Sequence, residues 1–136
     1  MPIHGLFTPY ELDRIDQAIA YIEKNYRDAI SADQLSIEVC MDIKKLQAGV
    51  QLRTGLTVHN YILAIRVKRA LCDLQDFDRP IKYIACKHGF CSASHFGTEF
   101  KKRTGLTPKE YRYQLILSAN SLDLVLVNAG GNFPGS

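Results

Sequence analysis

The chain has 136 residues, 46% of them apolar and 23% charged, with four cysteines and a formal charge of +3. That is one domain, or two small lobes sharing a helix, in an ordinary globular balance that can fill a core. No apolar run approaches the roughly 18 residues of a membrane span. The start, Met1 to Gly5, has neither the basic nor the apolar region of a signal peptide, so a cytoplasmic location is expected.

Thr8-Pro9-Tyr10-Glu11 sets an N-cap, a proline at the first helical position and a capping-box glutamate in a row. Leu12, Ile15, Ala18, Ile19 and Ile22 then recur at helical spacing, predicting a first helix over about 9–27. Ser31 to Gln34 reads as a second capping box opening a short helix to about Val39, and Asp42 caps a third that ends near Thr54, with Gly55 as its stop. Thr57 caps a long fourth helix, about 58–75, expected to turn Tyr61, Ile65, Leu71 and Leu74 inward and Arg66, Lys68 and Arg69 outward or sideways. Asp76 to Pro80 breaks it.

The plan then repeats. A short helix over about 81–88 stops at Gly89, a longer one over about 93–104 stops at Gly105, and Thr107-Pro108-Lys109-Glu110 is a third capping box opening a helix over about 108–117. Beyond it, Leu122, Leu124 and Leu126 alternate with Asp123, Val125 and Val127, which reads as a short strand, and Asn128 to Ser136 as a flexible end. The fold class expected is all-α: seven helices, homeodomain-like, with two helix-turn-helix subdomains on a long linker helix and a short extended C-terminal tail. The boundaries are 1–57, 58–75, 76–117 and a tail without an assigned role at 118–136.

An internal duplication supports this division. Arg53-Thr54-Gly55-Leu56-Thr57 recurs unchanged as Arg103-Thr104-Gly105-Leu106-Thr107, followed by Tyr61 and Tyr111 at the same offset. Leu46 and Val50 align with Phe96 and Phe100. Upstream the offset shortens by one, so Leu35-Ser36 faces Ile84-Ala85 and Met41 faces Phe90, and the second copy has one more residue in its turn. Two copies are too few for a solenoid and suit a duplicated lobe. Short helix, tight turn, longer helix is the helix-turn-helix outline, whose plain alternative is a helical bundle.

Charge is unevenly shared between the copies. Residues 1–55 hold 6 Lys/Arg against 8 Asp/Glu, residues 56–117 hold 11 against 5, and the last 19 carry only Asp123. A basic second half suits a polyanion partner, and a merely solvated charged face is the alternative reading.

The run Ile84-Ala85-Cys86-Lys87-His88-Gly89-Phe90-Cys91-Ser92-Ala93-Ser94-His95-Phe96, continued by Phe100-Lys101-Lys102-Arg103-Thr104-Gly105-Leu106-Thr107-Pro108-Lys109-Glu110-Tyr111-Arg112, resembles the second unit of the AraC/XylS family of bacterial transcription regulators. Its pattern there is I-A-x-x-x-G-F-x-x-x-S-x-F-x-x-x-F-K-x-x-x-G-x-x-P-x-x-Y-R. Arg66, Arg69 and Ala70 fit the family's linker helix, and the resemblance covers about residues 12–115. It implies a sequence-specific regulator with two recognition helices, about 42–54 and 93–104, entering successive major grooves of double-stranded DNA about 34 Å apart. Family members usually join this region to a sensor domain that binds a small molecule; none is read in these residues, so the chain is expected to be either a free-standing regulator, which the start at Met1 and the capped first helix favour, or the DNA-binding fragment of a longer one. A monomeric state is expected for this region, with RNA polymerase as a further candidate partner.

The first recognition helix departs from the family pattern. Where the family carries arginine and lysine, this chain has Ala48 and Gln51, and Gly49 lies inside the helix at a cost of about 1 kcal/mol. An arginine fork reading guanine contributes roughly 1–3 kcal/mol of discrimination, which alanine cannot replace. Lys44, Lys45, Gln47 and Gln51 remain as base-facing candidates in the first unit, and Ser92, Ala93, Ser94 and Thr98 in the second, where Thr98 stands at the usual arginine and Gly97 at a usual serine. Lys101, Lys102, Arg103, Lys109 and Arg112 are the phosphate candidates. The second unit is therefore expected to dominate. The competing reading is a degenerate helix-turn-helix that docks a protein through the acidic face of residues 11–42.

Other chemistries find little support. Cys86, His88, Cys91 and His95 offer zinc donors, but at a spacing unlike a zinc finger's and inside the helix-turn-helix match, so no metal or cofactor is expected. No glycine-rich phosphate loop, G-x-S-x-G motif or paired carboxylates suggest an enzyme. Cys40, Cys72, Cys86 and Cys91 form no C-x-x-C pair and are expected to be reduced, half-buried packing residues.

Overall fold

The computed structural model describes residues 7–129, with side-chain surroundings described through Ala119. Met1 to Gly5 and the end beyond Ala129 lie outside the described residues. Seven helices follow in order: α1 Pro9–Asn25, α2 Ala32–Glu38, α3 Ile43–Thr54, α4 Val58–Asp73, α5 Ile81–Lys87, α6 Ala93–Thr104 and α7 Pro108–Ala129. Among the described residues there is no strand, and no helix is long and apolar enough to cross a membrane.

Local chemistry sets the boundaries. Thr8 and Glu11 exchange side-chain bonds with each other's backbone N–H, and Thr107 and Glu110 do the same, so two full capping boxes open α1 and α7. Ser31 contributes a single bond, its Oγ accepting from Gln34 N. Asp42, Thr57 and Ser92 each accept a first-turn N–H at the starts of α3, α4 and α6. Gly55 and Gly105 end α3 and α6 in the left-handed region, at φ of 76° and 84°.

The duplication is visible in the two turns. Four residues, 39–42, separate α2 from α3, and five, 88–92, separate α5 from α6. Each turn contains one left-handed residue: Cys40 at φ 52° in the first and Gly89 at φ 91° in the second.

Two apolar cores lie side by side and share α4. Ala18, Ile22, Tyr26, Leu35, Val39, Leu46 and Val50 fill the first with Val58, Ile62 and Ile65 of α4. Ile84, Ala85, Phe90, Phe96 and Phe100 fill the second with Leu63, Val67, Ala70 and Leu74 of the same helix and its C-cap. The linker helix is thus buried on two sides. Sequence reasoning assumed one apolar face; it placed Ile65 and Leu74 correctly but omitted Ile62, Leu63 and Val67, while Tyr61 and Leu71 are only half-buried.

Two expectations are corrected. The strand read at residues 122–127 is helix, because α7 runs unbroken to Ala129. The alternation carried only Asp123 as a polar member, and nothing between Pro108 and Gly130 breaks a helix once the Thr107 cap has nucleated it. The four cysteines are free, as expected, but all four are exposed rather than half-buried, since the nearby Val39, Ala70, Leu74, Ala85 and Phe90 take the inward positions.

Candidate nucleic-acid interface

α3 presents one stripe to solvent. Leu46, Gly49 and Val50 face the core, leaving Lys44, Gln47, Ala48 and Gln51 exposed at i, i+3, i+4 and i+7. The Asp42 carboxylate accepts from the N–H groups of Lys44 and Lys45 at 3.1 and 3.2 Å and fixes the start of this stripe. Gly49 has a packing reason that the sequence concealed. A Cβ there would lie 2.1 Å from Ile15 Cδ1, so α3 seats on α1 only without a side chain at this position.

α6 repeats the arrangement with different residues. Phe96, Glu99 and Phe100 face inward, while Ser94, Thr98, Lys101 and Lys102 are exposed and Ala93 is half-buried. Ser92 is exposed at the N-cap, with its Oγ accepting from His95 N at 3.0 Å. The Thr98 hydroxyl donates to Ser94 O at 3.1 Å, so its lone pairs face outward.

The cations differ in their freedom. In the first unit Lys45 is paired with Glu11, and Arg53 with Asp16 at 3.1 Å. The bond from Lys45, with that from the backbone N–H of Thr8, holds the Glu11 carboxyl below its usual range. In the second unit, among the described residues, Lys101, Lys102 and Lys109 form no ion pair within 4 Å and are exposed.

A model of the helix-turn-helix domain matches residues 35–114, more than half the chain. The chain belongs to the AraC-type helix-turn-helix family. It is similar to the HTH-type transcriptional activator RhaS of Escherichia fergusonii, 28% identical over 99 residues that make up 73% of this chain and 36% of RhaS. Among solved structures it resembles an AraC-type transcriptional regulator from Chromobacterium violaceum at 26% identity and TM-score 0.69, covering 76% of this chain and 92% of that one. The DNA-binding domain of AdpA, solved in complex with a target DNA, shares the fold at TM-score 0.68 and 19% identity, covering 74% of this chain and 90% of that one. The chain spans less than two thirds of the curated relatives it matches.

Two arginines of this AraC-type domain, both phosphate candidates by sequence, are held inside the structure. Arg103 donates to Glu99 Oε1 at 2.9 Å and to Asn60 O at 3.1 Å, tying α6 to α4 and giving the buried Glu99 its counter-charge. Arg112 donates to Leu74 O at 3.3 Å, a carbonyl left open at the C-cap of α4, and to Asp76 O at 3.1 Å, which also accepts from Arg79 N in the loop that follows. The i,i+4 spacing of Glu99 and Arg103 was a readable signal for the first; nothing local marked the second.

One cluster escaped the sequence altogether. The Tyr26 hydroxyl lies 2.9 Å from His88 Nδ1, and His88 Nε2 lies 2.7 Å from Asp73 Oδ2. Arg66 donates to Tyr26 O and Asp28 O at 2.7 and 2.8 Å. Both ring nitrogens of His88 are engaged here, which leaves neither to join Cys86, Cys91 and His95 on a zinc ion. Among the described residues no three His, Cys, Asp or Glu are grouped to hold a metal.

Proposed function

We propose that this chain is the DNA-binding region of a bacterial transcription regulator, reading double-stranded DNA in the major groove through α3 and α6 with the second unit dominant. The observation that carries the reading is the pair of exposed stripes on equivalent helices of two duplicated units, with the second offering Lys101 and Lys102 free of ion pairs while Lys45 and Arg53 of the first are paired. AdpA presents the same fold to a target DNA. Lys44, Gln47 and Gln51 are the base readers of the first unit, and Ser92, Ala93, Ser94 and Thr98 those of the second. Lys101, Lys102 and Lys109 meet phosphates. Lys45 reaches a base, and Arg103 and Arg112 a phosphate, only by giving up their present partners, so they contribute less than their charge suggests.

Residues 1–57 and 76–117 serve as the two reading units and 58–75 as their connector. The chain works in the cytoplasm as a regulator without a catalytic step. The matched segment makes up 36% of RhaS, and a sensor domain and contact with RNA polymerase are proposed only for a regulator of that length.

The test is fluorescence anisotropy against a random double-stranded pool at two salt concentrations, followed by selection and sequencing. Salt-dependent binding with an enriched motif is the expected result, and absence of binding at low salt overturns the proposal. Replacing Lys101 and Lys102 by alanine lowers the salt slope by about 0.9 for each phosphate that is no longer neutralised. Replacing Lys44 does so no more than once.

A further inference from the structure

The two reading units are joined through α4, which both cores share. At the end of that helix a polar cluster ties the units together a second time. Tyr26, at the C-terminal end of α1, and His88, in the turn before α6, meet side by side with ring planes 13° apart and centroids 5.9 Å apart. Asp73, at the end of α4, closes the chain of bonds from the other side of the imidazole.

The protonation pattern follows from the partners. The Asp73 carboxylate only accepts, so His88 Nε2 carries the hydrogen. Nδ1 of the neutral ring then accepts from the Tyr26 hydroxyl, whose oxygen accepts in turn from Arg27 Nε at 3.2 Å. Lys87, at 3.1 Å, and Arg79, at 3.5 Å, hold the Asp73 carboxylate in place. The sequence of bonds is complete with a neutral imidazole. A second proton on Nδ1 turns that acceptor into a donor facing the Tyr26 hydroxyl.

Backbone contact adds to this attachment. A Cβ on Gly89 would lie 2.9 Å from Arg27 O and 3.0 Å from Arg66 Nε, so the second turn sits directly on the end of α1. Arg66 fastens the same backbone to α4. The Arg69 guanidinium, also from α4, lies 5.8 Å from the centre of the Tyr26 ring.

We propose that Tyr26, His88 and Asp73 form an orienting brace that holds the two recognition helices at one relative angle, making His88 a positioning residue for two-site reading. The inference rests on the DNA reading proposed above. It goes beyond it by assigning the spacing preference to residues that touch no DNA. Two heads held rigidly at the right separation gain from a high effective concentration at the second site, and a loosened pair loses that gain.

The charged surroundings set the pH at which the brace fails. His88 is 4% exposed. Burial is the largest influence and lowers its pKa below the ordinary 6.5; the Asp73 carboxylate pulls upward, while Arg27 and Lys87 add to the lowering. Asp73 stays ionised because the bonds from His88 and Lys87 outweigh its own burial. The brace is therefore intact at neutral pH and lost as pH falls through the lowered His88 value.

The experiment uses the whole chain and a duplex carrying the motif it enriches from a random pool, with one to three base pairs inserted between the halves. At pH 7.5 the wild type binds one spacing best. Tyr26→Phe, which removes one oxygen and keeps the packing, and His88→Leu each lower binding at that spacing by about tenfold and flatten the preference. Asp73→Asn, which still accepts from Nε2, keeps it. As pH is lowered stepwise from 7.5, the wild type loses its preference only below the ordinary histidine range, while His88→Leu shows no further change along the series. A preference unchanged in Tyr26→Phe, or lost equally along the series in wild type and His88→Leu, overturns the brace. Should the wild type bind no duplex, the DNA reading fails on its own. Residual dipolar couplings of the free protein then decide: α3–α6 orientations equally well defined in wild type and Tyr26→Phe overturn the brace, and a looser variant supports it.

Discussion

The two units of this chain are built to one plan and finished differently. Leu46 and Val50 stand where Phe96 and Phe100 stand, and all four are fully buried. The second core thereby gains an edge-to-face series, Phe96 on Phe100 at 5.5 Å and Phe100 on Tyr111 at 5.6 Å. On the outer face the contrast is one of charge. The first unit pairs Lys45 and Arg53 with acids of α1, whereas the second leaves Lys101 and Lys102 to solvent. Duplication preserved the glycine stops at Gly55 and Gly105 and the threonine caps at Thr57 and Thr107, while the turns, the core side chains and what the folded surface offers a partner diverged.

The largest effect that tests this contrast is in the cores. Phe96→Ala destabilises the chain by about 3–5 kcal/mol and Leu46→Ala by about 2–5 kcal/mol in urea titrations. Because α4 belongs to both cores, each variant still unfolds in one transition. Two separate transitions in either would show that the units are energetically independent.

The turns give a smaller and more pointed test. Gly89→Ala costs about 1–3 kcal/mol, because a side chain at φ 91° is strained and its Cβ meets the Arg27 carbonyl at 2.9 Å. Cys40→Ala, at the equivalent place, changes stability by no more than about 0.5 kcal/mol, since one non-glycine residue replaces another on the exposed side. Equal effects at the two positions would remove the distinction between an open turn and one pressed against α1.

The helical glycines finish the comparison. Gly49→Ala destabilises by about 1–3 kcal/mol through the clash with the buried Ile15. Gly97→Ala, with nothing within 4 Å, stabilises by up to about 1 kcal/mol. Opposite signs in thermal melts are the expected outcome.

What was legible in the sequence was local. Thr8, Ser31, Asp42, Thr57 and Thr107 announced their helices because a cap and its amide lie within a few residues of each other. The family resemblance located the two outward stripes, and Lys44, Gln47, Gln51, Ser94 and Thr98 do stand exposed on them. What escaped was contact across distance. Tyr26 and His88 are 62 residues apart, and nothing in either neighbourhood names the other. Gly49 read as a helix weakness because its partner Ile15 sits on another helix, and α4 misled because a single-face period cannot describe a helix buried on two sides.

That double burial has a consequence for what lengths the chain tolerates. Each residue of an α-helix advances 1.5 Å and turns by roughly 100°. Within Val58–Asp73, Ile62 and Leu63 are adjacent yet serve opposite cores. One residue inserted between them would swing one unit about the helix axis by more than a quarter of a circle relative to the other. α4 is therefore a torsional gauge: it accepts substitutions that keep apolar bulk, but not a change in length, whereas the exposed residues 75–78, between helices, can absorb one.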